Sequence, residues 1–177
     1  MSKISKTSYK YSLLFKALFI IYPLYTVYIW LSGATIPFGY NAIRMLQEGI
    51  DFSSFPLTLR VYACLLYMIP TALVMAQFYY LAQLFQLYAK GMIFAKQNIN
   101  YLKKIGFMLI WQAIAVILVQ PLITMVLTIN AAPGEHIFAV ALSNDEVSSM
   151  AIGGIVILIS WVMNEGRKLQ EESALTV

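Results

Sequence analysis

Four stretches without a charged residue alternate with short charged segments along this chain: 17–43, 61–89, 105–134 and 147–164. They measure 27, 29, 30 and 18 residues and occupy 104 of the 177 positions. Within them apolar residues cover every helical face, so no polar face is left for water; a helix of that kind is buried in protein or lipid. A bilayer core about 30 Å thick is crossed by roughly 20 apolar residues rising 1.5 Å each, so each stretch can hold a spanning helix. The pattern predicts an all-α integral membrane protein: four transmembrane helices over about 11–31, 59–90, 99–128 and 144–170, packed as an antiparallel bundle in a single domain, 1–177.

The connections are read from breakers and periodicity. The segment 33–56 forms an outer loop in which Tyr40, Ile43, Leu46 and Ile50 recur at helical spacing, predicting a short helix on the membrane surface. The second helix is longer than a bilayer requires. Its end carries Leu81, Leu84, Phe85 and Tyr88 on one stripe, which predicts an amphipathic extension outside the lipid, ended by Gly91 in the left-handed conformation. A short turn, 91–98, then leads into the third helix. The second outer loop, 130–143, holds an apolar segment over 136–142 that reads as a strand. Ser143 and Glu146 form a capping box for the fourth helix. Beyond the last span, Arg167 with Glu171 and Lys168 with Glu172 stand one turn apart and can pair.

Charge sets the orientation. Cytoplasmic flanks of membrane helices hold an excess of Lys and Arg, and ten of the twelve basic residues here precede or enter the first helix, bracket the 91–98 turn or lie at the end of the fourth helix. That side sums to +7, and the opposite loops, with Arg44 and Arg60 against five carboxylates, sum to −3. Both termini are therefore expected in the cytoplasm. Only 11% of the residues are charged, against about 25% in soluble domains, which excludes a soluble enzyme and a disordered chain. The single cysteine, Cys64, excludes an internal disulfide or a CxxC redox pair. The first segment has a basic start followed by an apolar run, but that run is longer than the 7–15 residues or so of a signal peptide's core and reads as an uncleaved anchor. The cations are spread over three juxtamembrane segments, so no direct nucleic-acid binding is expected.

Little in the spans resembles catalytic machinery. No charge lies deep in any of them, and an intramembrane charge is the usual mark of an ion or proton pathway. The interior polar groups are Gln77, Gln112, Gln120, Thr71, Thr124 and Ser160. They read either as interhelical hydrogen bonds or as the lining of a small polar pocket. Pro23, Pro70 and Pro121 interrupt three spans, as fixed kinks or as hinges. Gly153, with Ser149 one turn before it and Gly154 beside it, fits close packing within the bundle or a dimer face. His136 is read as an exposed loop residue without metal-binding spacing. No nucleophile elbow, P-loop or dinucleotide fingerprint occurs, so neither an enzyme nor a cofactor is expected.

Lys90, Gly91, Ile93, Phe94 and Asn98 at the turn, Gly106 early in the third helix, and Glu165, Gly166, Leu169, Glu172, Leu175, Thr176 and Val177 at the end carry a resemblance over nearly the whole chain. They resemble a bacterial family of four-span inner-membrane proteins catalogued as a domain of unknown function. Where that family often has Ser after the turn phenylalanine, this chain has Ala95, so Asn98 is expected to take over the cap. The resemblance implies a non-enzymatic membrane partner or sensor for a small helix-turn-helix transcriptional regulator, because such regulators are often encoded beside family members. Lys90, Gly91, Phe94, Asn98, Glu165, Gly166, Leu169 and Glu172 are then the expected interaction surface. Backbone geometry alone also accounts for the turn residues. The alternative is a small-molecule or lipid transporter or permeability factor that uses the interior glutamines. The bilayer is the expected environment in both, with a homo-oligomer as a further candidate assembly.

Overall fold

A computed structural model describes residues 3–33, 55–92, 95–131, 136–138, 140 and 142–175. Four helices make up nearly all of this: α1 (Lys3–Ser32), α2 (Leu57–Ala89), α3 (Lys96–Leu127) and α4 (Asn144–Leu175). All four are long and apolar enough to cross a membrane. They form a packed bundle in which α1 lies on α2, α2 on α3 and α3 on α4. Large apolar side chains face outward from every helix, among them Ile20 and Leu24 of α1, Leu65 of α2, Leu118 of α3 and Val162 of α4, and the buried set mixes apolar side chains with polar ones such as Thr71, Gln120, Thr124 and Ser160. An exterior so uniformly apolar suits a hydrocarbon solvent.

Each contact between helices has its own chemistry. Between α1 and α2 the rings interleave: Tyr11 and Phe15 lie 5.3 and 5.6 Å from Phe85, and Phe15 and Tyr22 lie 6.2 and 5.8 Å from Phe78. Between α2 and α3 a pair of amides meets, flanked by Tyr80 stacked 6.0 Å from Tyr101. Between α3 and α4 two glycines touch. A Cβ added at Gly106 would stand 2.7 Å from the carbonyl oxygen of Gly153, and one at Gly153 the same distance from that of Gly106. Only residues without a side chain allow backbones so close. Gly153 thus packs inside the bundle, whereas its neighbour Gly154 faces open space. At the far end Trp30, Leu59, Ala63, Cys64, Val119, Ile123 and Leu127 form one apolar cluster.

Several sequence expectations need correction. α1 starts at Lys3, not near residue 11. Counting from the apolar run missed its first turns because they are held by a different device. Ser5, Ser8 and Ser12 form a buried stripe, and the hydroxyls of Ser5 and Ser12 donate to the carbonyls of Ala89 and Ala82 at 2.6 and 2.9 Å. The extension of α2 is therefore sheathed by the amino end of α1. Trp30, near the end of α1, is 1% exposed and belongs to the apolar cluster. No strand occurs among the described residues of 136–142, since no second strand is there to pair with. Instead His136 Nδ1 lies 2.9 Å from the Thr128 carbonyl and the Ile137 amide donates to the Thr128 hydroxyl at 3.1 Å. His136 is exposed, as expected.

The three prolines do not break their helices. The register set by Ser5 opposite Ala89 and Ser12 opposite Ala82 puts Pro23 level with Pro70. Each proline is followed within three residues by a threonine whose hydroxyl donates back into its own helix: Thr26 to the Tyr22 carbonyl, Thr71 to Tyr67 and Thr124 to Pro121, at 2.9, 2.9 and 3.0 Å. Ser160 likewise donates to Ile157 at 2.6 Å. These hydroxyls donate to their own backbones, whereas Thr71, Thr124 and Ser160 were read as interhelical bonds or as a polar pocket lining. A short side chain bonding three or four residues back satisfies its polar group without needing a neighbour.

α4 opens on the expected cap, with one difference. Glu146 Oε2 accepts from the Ser143 amide at 2.7 Å and also from the Ser143 hydroxyl. The hydroxyl oxygen accepts from the amide of Asp145 at 3.2 Å, not from that of Glu146. The expected surface helix around Tyr40 to Ile50 lies outside the described residues, as do Ile93, Phe94, Thr176 and Val177.

Candidate functional site

The expected interaction surface sits at the lysine-rich end, where α2 leaves the bundle and turns into α3. On α2, Ala82, Leu84 and Leu87 are buried, and Phe85 rests against Tyr11, Phe15 and Tyr88. The helix then closes with a pair of backbone bonds: the Gly91 amide donates to the Tyr88 carbonyl at 3.0 Å and the Met92 amide to Leu87 at 3.1 Å. This is the Schellman arrangement, and it puts Gly91 at φ +79°, a conformation that costs a side-chain-bearing residue about 1–2 kcal/mol. Lys90 and Gly91 are exposed on the resulting corner.

Asn98 does not take over the cap of α3. Its side-chain amide donates across the turn to the Met92 carbonyl, and its backbone amide donates to Ala95 at 2.9 Å. Ala95 makes no side-chain cap. Asn98 is 0% exposed, so this residue stitches the end of α2 to the first turn of α3 from beneath, and it offers no surface to a partner. Of the turn residues, Lys90, Gly91 and Asn98 are thus brought together, two outside and one inside.

The tail is a continuation of α4. Taking Gly106 opposite Gly153 and Ile157, α4 passes the start of α3 near Glu165 and projects beyond it by about 15 Å, ten residues of helix. Glu165, Gly166, Leu169 and Glu172 are all exposed on this projection. Arg167 pairs with Glu171 one turn on, and Lys168 reaches back to Glu165 at 3.1 Å; the expected partner of Lys168 was Glu172. The turn and the tail therefore lie at one end of the molecule, on neighbouring helices. Along the same end Lys104 Nζ lies 5.0 Å from the centre of the Tyr80 ring and Lys103 Nζ 6.0 Å from that of Phe107, within range of a cation–π attraction.

Inside the spans, the Gln77 side-chain amide donates to Gln112 Oε1 at 2.8 Å. Gln120 is 1% exposed, two turns further along α3. The interior glutamines are therefore not gathered at one point. Among the described residues no three of His, Cys, Asp and Glu converge.

Sequence reasoning passed over two features at this end and one opposite. The Ser5, Ser8, Ser12 spacing was available as a signal: small polar residues three and four apart fit a close helix contact. Gly106 was noticed only within the resemblance, not as the partner of Gly153. At the opposite end Arg60 Nη1 donates to the Leu31 carbonyl at 3.1 Å, closing the carboxyl end of α1, where a cation meets the helix dipole.

A family model described as "Protein of unknown function (DUF2975)" matches residues 20–177, which takes in the turn, the glycine contact and the tail. The chain belongs to this family. No curated protein and no solved structure matches it. This DUF2975 protein is a multi-pass protein of the bacterial inner membrane.

Proposed function

We propose that this DUF2975 protein is a non-enzymatic antiparallel bundle with both termini in the cytoplasm, and that its lysine-rich end docks a cytoplasmic transcriptional regulator. One observation carries the reading. The corner at Lys90 and Gly91 and the projecting helix 165–175 stand side by side at the end where ten of the twelve cations lie. A helix reaching about 15 Å past its bundle buries little against its own chain, yet it carries its own ion pairs and an apolar Leu169, 59% exposed. That combination suits a surface that a protein partner covers. The resemblance supplies the kind of partner, a helix-turn-helix regulator.

Pull-down from solubilised membranes, using the full chain and a chain ending at residue 164, tests the reading. The regulator should be recovered with the full chain alone. Recovery of the same proteins with both would refute it. Transport of a small molecule or lipid is the second reading, and it draws on the buried glutamines. Gln77 and Gln112 bond to each other, which favours a structural use of both amides over a free polar lining. Loss of uptake or efflux in Gln77→Ala or Gln112→Ala cells, at normal protein levels, would reverse that preference.

A further inference from the structure

A cleft of about 260 Å³ opens on the outer face of the α1–α2 contact, lined by Lys16, Phe19 and Ile20 on one helix and Tyr79, Ala82 and Gln83 on the other. Both sets follow i, i+3, i+4 spacing, so each helix contributes one continuous wall. The helices run in opposite directions, with Ser12 opposite Ala82. On each wall the polar residue is therefore the one nearest the amino end of α1, with Gln83 about one and a half turns beyond Lys16, and Phe19 and Ile20 lie farther from that end. The Phe19 and Tyr79 rings approach to 6.5 Å there. Ala82, 2% exposed and held by the Ser12 hydroxyl, keeps the floor low.

The polarity of the cleft matches a depth in the membrane. From Leu57 to Tyr79 the 23 residues of α2 rise about 34 Å, roughly one hydrocarbon thickness, so the Lys16 and Gln83 end stands at the level of the headgroups. Lys104, over the Tyr80 ring one residue along from Tyr79, marks the same level on α3. Among the described residues no carboxylate pairs with Lys16, and Glu165 and Glu171 are engaged within the tail. The cleft therefore presents an uncompensated cation beside a carboxamide, above an apolar channel.

We propose that this cleft binds one anionic phospholipid, its phosphate on Lys16 and Gln83 and the start of an acyl chain along Phe19 and Ile20. A phosphodiester supplies the missing negative charge and a methylene chain fills the apolar end, which a free phosphate would leave empty. A basic pocket between spanning helices at headgroup level is suited to such a ligand. The inference depends on the depth of Lys16 and is independent of any regulator.

The test is native mass spectrometry of the full chain, stripped of lipid in detergent and titrated with phosphatidylglycerol or with phosphatidylethanolamine bearing the same chains. Phosphatidylglycerol should bind severalfold more tightly. Lys16→Ala should weaken its binding about fivefold, the scale of one interfacial cation, Gln83→Leu should weaken it less, and Lys16→Arg should retain it. Lys6→Ala, which removes an exposed cation outside the cleft, should weaken it clearly less than Lys16→Ala does. Equal binding of the two lipids, or equal losses in Lys6→Ala and Lys16→Ala, would overturn the proposal, because either result reports diffuse attraction and no site.

Discussion

Alanine at position 153 and alanine at position 154 should move stability in opposite directions, although the glycines are adjacent. At 153 the new Cβ stands 2.7 Å from the Gly106 carbonyl oxygen, 2.8 Å from Ile110 Cγ1 and 3.2 Å from Leu109 Cβ. Comfortable contact lies near 3.5 Å, so α3 and α4 must part by about 0.8 Å, and the nearest obstacle is backbone that no rotamer change can move. Overpacking of this kind costs about 1–3 kcal/mol, partly offset by about 1 kcal/mol of helix propensity gained when glycine becomes alanine. Gly153→Ala should therefore destabilise by up to about 2 kcal/mol. At 154 nothing lies within 4 Å, so only the propensity gain remains, and Gly154→Ala should be neutral or stabilising by up to about 1 kcal/mol. Equilibrium unfolding in mixed micelles, followed by helix signal, reads both. Gly106→Ala combined with Gly153→Ala should cost less than the separate losses, because helices parted to admit one methyl already make room for the other. Equal destabilisation by the 153 and 154 changes would refute the reasoning and would mean that Gly154 also meets a surface, such as a second copy.

The amide pair makes a further prediction. Gln77→Leu or Gln112→Leu alone leaves one amide unpaired, and the double change removes both, so a double-mutant cycle should return a coupling near 0.6 kcal/mol and no more than about 1.7 kcal/mol; zero coupling would mean that the bond contributes nothing. Gly91→Ala should destabilise by about 1 kcal/mol through its positive φ, measured by the same unfolding assay. Gly166→Ala, in a helix with open space around it, should not destabilise at all.

The four helices were legible because their signal is the absence of charge over long runs, and hydrocarbon leaves the chain no other way to satisfy its backbone. Gly91 was legible too, since a glycine closing an amphipathic stripe has one common use. What failed were assignments resting on a partner that a single stretch of sequence does not reveal. The first turns of α1 carry lysines and serines and look like a soluble leader until the α2 extension is placed beside them. Asn98 was expected as a cap through the resemblance, yet the carbonyl it serves is that of Met92, just past the end of α2. The candidate surface was located as a turn and a tail, and their nearness follows only from the Gly106 and Gly153 crossing.

The proposed docking end requires four crossings with the lysine-rich end inside the cell. Cysteine labelling in a Cys64→Ser background tests this most directly, using Met92→Cys at the corner after α2 and Phe138→Cys in the segment after α3, both exposed positions at 41% and 68%. In spheroplasts treated with a membrane-impermeant maleimide, position 138 should be labelled at once and position 92 only after the membrane is opened. Labelling of position 92 in sealed spheroplasts, with position 138 protected, would contradict the account.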